Sequence, residues 1–186
     1  MSVLFGRNKL RKPNREQFFS IITAAYSLQG RTDLIPTGKA GLVFNPVESG
    51  FFENLDAELR DLLEISRQAT DTRYQIKDDT YGTRWVALED PDFEDLVATV
   101  HLVSDTIAEH GFADRLLAAV FQFNYEAKNA YWIYNYKRGR FHPLVLTGPQ
   151  QRDNAAEMRL GVQMEGEKMP VQKDLEQWYA LWGIPF

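Results

Sequence analysis

Apolar positions along the chain recur with two different periods, and the changes of period mark the element boundaries. Phe18, Ile21, Ile22, Ala25 and Leu28 recur at helical spacing. Asn14 precedes them as a cap with Gln17 three positions on, and Gly30 is a natural stop, so a helix is predicted over 14–29. A second helix is predicted over 50–68, with Phe52, Leu55, Leu59, Leu62 and Leu63 on its apolar face. The most regular stripe is Phe93, Leu96, Val97, Val100, Val103, Ser104 and Ile107. It predicts a helix over 91–109, with Pro91 in the first turn and Asp92 and Glu94 at the positive end. Further helices are predicted over 151–164 and 174–182. In the last of these, Leu175, Trp178, Leu181 and Trp182 form one apolar face.

Elsewhere the period drops to two. Residues 39–46 read as a strand ended by Asn45-Pro46, with Pro36-Thr37-Gly38 expected to turn. Residues 72–77 and 83–88 read as a hairpin around Asp78–Gly82, with one wet face carrying Arg73, Gln75 and Lys77. Leu116–Phe123 is almost continuously apolar, which places a strand over 115–125 in the middle of a sheet. After the polar link Glu126–Asn129, the strand 130–137 carries Trp132, Tyr134 and Tyr136 on one face. Phe141–Val145 is left as a short edge strand. The order helix, strand, helix, hairpin, helix, hairpin, helical tail predicts an α+β fold. We expect a five-stranded, mainly antiparallel sheet with helices packed mainly on one face. Residues 1–13 read as a basic tail, and 14–186 as a single domain that includes the C-terminal helical segment.

Composition narrows the chemistry. The 186 residues are 44% apolar and 25% charged, which argues against wholesale disorder. Lys and Arg number 21 against 26 Asp and Glu, and that acidic balance argues against a general nucleic-acid binder. With no cysteine there is no disulfide, cysteine-ligated metal or cysteine nucleophile. No apolar run is long enough to span a bilayer, and the start does not read as a secretory signal, so a cytoplasmic protein is expected. The tail does place Val3, Leu4 and Phe5 ahead of Arg7, Lys9, Arg11 and Lys12. That layout leaves open a peripheral contact with an anionic membrane face.

Catalytic patterns are thin. Gly38-Lys39 lacks the glycine spacing and following Ser or Thr of a phosphate loop. His101 and His110 lie nine residues apart, not at a helical ligand spacing, and His142 is distant from both. Asp78 and Asp79 are adjacent carboxylates, but side chains of this type are ordinary turn formers. A hydrolase using them with one histidine is the rival reading. We expect no catalytic centre, no cofactor and no metal. Two surfaces do invite a partner. Lys137, Arg138 and Arg140 follow the aromatic strand and suit an acidic partner or a charged sheet edge. The tail Asp174–Phe186 suits packing over its own core or insertion into a partner's groove.

These same segments resemble a known family, the PspA-associated protein PspAB. The likeness rests on PTGKAGLVFNPVESGFFE at 36–53, DDTYGTRWVALEDP at 78–91, YKRGRFHPL at 136–144, RDNAAEMRL at 152–160 and WYALWGIPF at 178–186. The opening FGRNKLRKPN at 5–14 is also similar. Phe19 and Ser20 depart from the small residues usual in the family before the first helix. The resemblance implies a non-enzymatic accessory of a PspA-like envelope-stress system, encoded in several lineages near an HtpX-type membrane protease. The element order also resembles the YbjN or type III secretion chaperone-like fold, a likeness at the level of fold only. From these readings we expect an adaptor that contacts a PspA-like protein at the inner membrane face. Lys137, Arg138, Arg140, Tyr134 and Trp182 are its expected contact residues. An HtpX-type protease and a homodimer are secondary expectations, and a membrane-surface or nucleic-acid binder using the same basic–aromatic patch is the alternative.

Overall fold

The computed structural model of the protein describes residues 14–47 and 50–186, without the side chains of Phe51 and Phe52. The basic tail at 1–13 and the apolar role of Phe52 therefore lie outside the described residues. Among the described residues there are four α-helices: α1 (Arg15–Gln29), α2 (Gly50–Thr70), α3 (Phe93–Ile107) and α4 (Asn154–Gly166). Seven strands accompany them: β1 (Leu34–Phe44), β2 (Arg73–Asp78), β3 (Arg84–Glu89), β4 (Leu116–Tyr125), β5 (Lys128–Asn135), β6 (Arg140–Gly148) and β7 (Gln151–Arg152). They form one sheet in the order β2-β3-β1-β4-β5-β6-β7, antiparallel at every pairing.

The helices begin where side chains can cap them. Asn14 accepts from Glu16 N at the start of α1, and Asp92 accepts from Glu94 N and Asp95 N at the start of α3. Every residue of the predicted α3 stripe is buried. Together with Phe18, Ile21 and Leu28 of α1, Leu55 and Leu59 of α2, and Leu160 and Met164 of α4, that stripe packs onto one face of the sheet. The sheet answers with Leu42, Phe121, Phe123, Trp132, Tyr134 and Phe141. The strand alternation sends Val43, Trp85, Val120, Tyr131, Ile133 and Leu144 to the opposite face.

Four expectations need correction. The sheet has seven strands rather than five. β6 is longer than expected and is no edge: β7 pairs with one part of it, while Phe141 N donates to Pro170 O and Gln172 N to Phe141 O. Second, Pro36-Thr37-Gly38 does not turn but forms a bulge inside β1. Pro36 pairs with Phe123 and Ala40 with Phe121, so three residues of β1 face one of β4. Gly38 has φ 76°, and an added Cβ would lie 2.8 Å from Asp90 O, so glycine alone fits there. Third, the link between β4 and β5 is only Glu126-Ala127, both at positive φ, as a two-residue hairpin turn requires.

Fourth, no helix forms over 174–182. A single short turn at Leu175–Gln177 is followed by chain without regular secondary structure to Phe186. Trp178 belongs to the helix-covered core, whereas Ala180, Leu181, Ile184 and Phe186 pack on the opposite face. The segment thus crosses from one side of the sheet to the other. One helical face could not serve both sides, and Gly183 (φ 74°) and Pro185 also oppose a helix. We call residues 178–186 the strap. The aromatic strand β5, which the sequence left open to a partner, is covered by helices on one side and by this strap on the other.

Candidate functional site

The β5–β6 turn carries the predicted cations. Gly139, at φ 63°, closes it by donating to Asn135 O at 2.8 Å. Lys137, Arg138 and Arg140 are all exposed. Arg138 donates to the Gln177 side-chain carbonyl, and its guanidinium lies 5.6 Å from the centre of the Tyr179 ring. Lys137 and Arg140 have no ion-pair partner among the described residues. Trp182 is half-buried and stands outside the group of strap residues packed on the sheet. It follows Tyr179 by three residues, so it lies within roughly 11 Å of chain from the Arg138 contact.

Tyr134 has a different place. It is wholly buried, with its ring against Phe18 (5.0 Å), Phe141 (4.8 Å) and Tyr136 (5.3 Å). Burial pushes its hydroxyl up to about 12, against a smaller opposing pull from Arg140. As folded, Tyr134 is a core residue that supports the turn from beneath and presents no surface to a partner.

Asp78 and Asp79 are occupied by the β2–β3 turn. Asp78 takes both its hydrogen bonds from Arg84, which hold its carboxyl below the usual value despite partial burial. Asp79 accepts from Tyr81 N, Thr83 N, the Thr83 hydroxyl and Trp85 Nε1. Burial pushes Asp79 up, but these donors together outweigh it and hold the group low. The histidines are dispersed. His101 packs between Phe18 and Phe19, His110 bridges Thr106 O and Glu58, and His142 lies under the strap. The described residues hold no cluster of three potential metal ligands.

The C-terminal tail packs over its own core, one of the two readings its sequence offered; the residues that seat this strap are what the sequence reading missed. Arg152 Nη1 donates to Trp178 O (2.9 Å), His142 Nε2 to Tyr179 O (3.0 Å) and Gln122 Nε2 to Phe186 O (3.3 Å). Arg152 is itself fixed by the buried Glu157, which also accepts from Val145 N. Gln122 is oriented by the Thr37 hydroxyl at 2.7 Å. Gly41 makes the room for the last aromatic ring, since an added Cβ would lie 2.7 Å from a ring carbon of Phe186. Trp85 meets that ring edge to face at 6.2 Å. Gly161 does the same for Trp178, whose ring would lie 2.6 Å from an added Cβ. Burial lowers His142 to about 4, a shift the Tyr179 carbonyl partly opposes.

Four of the segments that carry the family resemblance meet the strap. The PTGKAG segment contributes Thr37, through Gln122, and Gly41. The TYG turn brings Tyr81 to within 3.9 Å of the Cβ direction of Gly183, and the same segment supplies Trp85. YKRGRFHPL contributes Arg138 and His142, and RDN contributes Arg152. One signal was available in advance: β4 and β5 are apolar on both faces, so each face needs a cover. The individual partners were not readable, because Gln122 and Phe186 are 64 residues apart.

An open antiparallel sheet, roofed by helices on one side and strapped by its own C-terminal segment on the other, defines an α+β protein whose most elaborated surface holds a peptide. The model of the family described as PspA associated protein B matches residues 1–186, the whole chain, and the protein belongs to that family. The family description associates it with PspA. No curated protein and no solved structure matches the chain. No helix among the described residues is long and apolar enough to cross a membrane.

Proposed function

We propose that the protein is a non-enzymatic adaptor or regulator of a PspA-linked envelope-stress system and acts by protein–protein contact. The observation that carries this reading is the β5–β6 turn. It exposes Lys137, Arg138 and Arg140 together, and it is tied through Arg138 to the strap that presents Trp182. Unpaired surface cations steer an encounter with an acidic partner, and a half-buried aromatic neighbour supplies the hold. The occupied state of Asp78 and Asp79 supports contact rather than catalysis. An HtpX-type protease is a second proposed partner, at the inner face of the membrane. The likeness to YbjN or type III secretion chaperone folds is kept as a likeness of layout, helices on one face of an antiparallel sheet, and carries no activity by itself.

The test is a tagged pull-down from native lysate, before and after envelope stress, repeated with Lys137, Arg138 and Arg140 all changed to Ala. Recovery of a PspA-like protein by the parent and not by the folded triple variant is the expected result. Equal recovery removes the basic turn from the interface. Failure of both forms to recover such a partner, with tight binding of anionic liposomes by the purified chain, replaces the adaptor reading with the membrane-surface one.

A further inference from the structure

The two edges of the open sheet are finished differently. At the β6 edge the outward backbone groups are taken up in turn. Phe141 N donates to Pro170 O and Phe141 O accepts from Gln172 N. Pro143 has no N–H to offer. Val145 N donates to the Glu157 carboxylate, and Val145 O accepts from Asp153 N. The opposite edge is β2, which pairs on one side only, with β3. The bond from Asp79 N to Thr83 O fixes which of its groups face β3. Bonded pairs recur at every second residue, so Arg73, Gln75 and Lys77 bond across to Glu89, Ala87 and Trp85. The N–H and C=O of Tyr74 and Ile76 therefore point away from the sheet, and among the described residues no group takes them up.

The side chains of β2 set the chemistry of what can pair there. Arg73, Gln75 and Lys77 are exposed on the strap side of the sheet. Arg73 has only Glu89, at 3.4 Å, and Lys77 has no ion-pair partner among the described residues. Tyr74 and Ile76 are half-buried on the helix side, against the main core. We propose that the β2 edge is a docking site for an extended partner segment of the pattern acidic–apolar–any–apolar–acidic, added to the sheet as a further strand. Its carboxylates meet Arg73 and Lys77, and its apolar residues extend the helix-side core beyond Tyr74 and Ile76. Its main chain takes the unpaired groups of those two residues. The pattern reads the same in both directions, so it fits a parallel or an antiparallel strand. Charge selects such a partner over a second copy of this chain. In the antiparallel register centred on Gln75, each copy would set its Arg73 against the other's Lys77. The same two cations keep the edge from pairing with strands of any composition.

The test uses the purified full-length chain and the peptide SEVTVES, with SKVTVKS as its charge-reversed counterpart, read by residue-resolved amide exchange. In the free chain, the amides of Tyr74 and Ile76 should exchange faster than those of Gln75 and Lys77. SEVTVES at about 1 mM, the weak end of peptide affinities, should slow both. SKVTVKS should bind about tenfold more weakly, because it places two like charges across the pairing. Arg73→Glu with Lys77→Glu should reverse the order of the two peptides. Ile76→Pro removes an outward N–H and no bond of the hairpin, at a position where an edge strand tolerates proline, and should abolish protection of the Tyr74 amide. Protection of Tyr74 and Ile76 already present in the free chain overturns the proposal, because the edge is then covered. So does a failure of SEVTVES to slow these amides, or slowing confined to amides away from β2. Equal binding of the two peptides, or an order that the paired glutamates leave unchanged, overturns the acidic partner. If Ile76→Pro does not fold, the charge reversal decides by itself. Every arm uses purified protein, so the outcome is independent of the basic turn and of whether PspA is recovered in the pull-down.

Discussion

The two faces of the sheet are equally apolar where it matters and are covered in opposite ways. On one face, four helices satisfy their own backbone hydrogen bonds and contribute stripes of buried side chains to a continuous core. On the other, one segment without regular secondary structure lies over seven buried sheet residues, and three side-chain hydrogen bonds fix its carbonyls. Burial of the sheet side chains is nearly the same under both covers: Phe121 and Trp132 are 0% exposed beneath the helices, and Val120 and Leu144 are 0% exposed beneath the strap. Buried area alone therefore does not say how firmly a cover is held. The helices carry long-range packing from several elements at once, while the strap depends on a few residues. Opening of the strap should cost less than opening of any helix.

The widest separation of the two faces is expected in the core. Phe121→Ala should cost about 3–5 kcal/mol in urea unfolding, because it leaves a cavity among Phe18, Phe93 and their neighbours on the helix side. A cost below about 1 kcal/mol would erase the distinction drawn between the faces. Glu157→Ala should come next, at about 3 kcal/mol, since it strands Arg152 and Val145 N and loosens the anchor of Trp178. The same measurement with amide exchange should show the strap opening first.

Acid should act on the strap side through His142. Its folded value, about 4, lies below its ordinary 6.5, so the unfolded chain binds the proton more readily. Stability is then full above about pH 6.5 and falls as pH drops towards 4, by at most about 1.4 kcal/mol per pH unit. Buried His101 is shifted in the same direction by burial and adds to the fall. Asp78 and Asp79, held low in the fold, lose their contribution only at more acidic pH. Unfolding titrations of parent and His142→Gln separate these windows: the variant should show a shallower slope between pH 6.5 and 4. An identical slope would remove His142 from the acid response.

Phe186→Ala should cost about 1–2 kcal/mol, as expected for losing a half-buried ring, and should speed amide exchange of the sheet face it covers more than that of α3. Lys137→Ala with Arg140→Ala should change stability by no more than about 0.5 kcal/mol, since neither cation has an ion-pair partner among the described residues. A larger loss there would mean that the basic turn supports the structure and is not a free contact surface.

The helix-covered half was the more legible one. The α3 stripe, the β2–β3 hairpin and the sidedness of Trp85 against Val86 follow from period alone, because a buried face imposes its spacing on the residues that line it. The first half of β1 was hidden by Pro36-Thr37-Gly38, whose residues signal a turn when their partners are unknown. Only the bonds from Asp90 N to Gly38 O and from Thr37 to Gln122 make that segment a bulge. At the candidate site, the exposure of Lys137, Arg138 and Arg140 could be read from their charge, but the complete burial of Tyr134 among Phe18, Tyr136 and Phe141 could not.

The sequence by itself determined the α+β class, the helices whose apolar faces repeat, the two long hairpins and the family. Each of these rests on neighbours within a turn or a strand, where spacing and side-chain type suffice. Only the tertiary structure decided that the C-terminal segment is a strap and not a helix. Its apolar residues fit a helical pattern, yet Trp178 is claimed by Gly161 on one side of the sheet and Phe186 by Gly41 on the other. A helix of that length is marginal on its own propensity. Two pockets separated by the thickness of a sheet therefore outweigh it, and they are assembled from residues far apart in the chain.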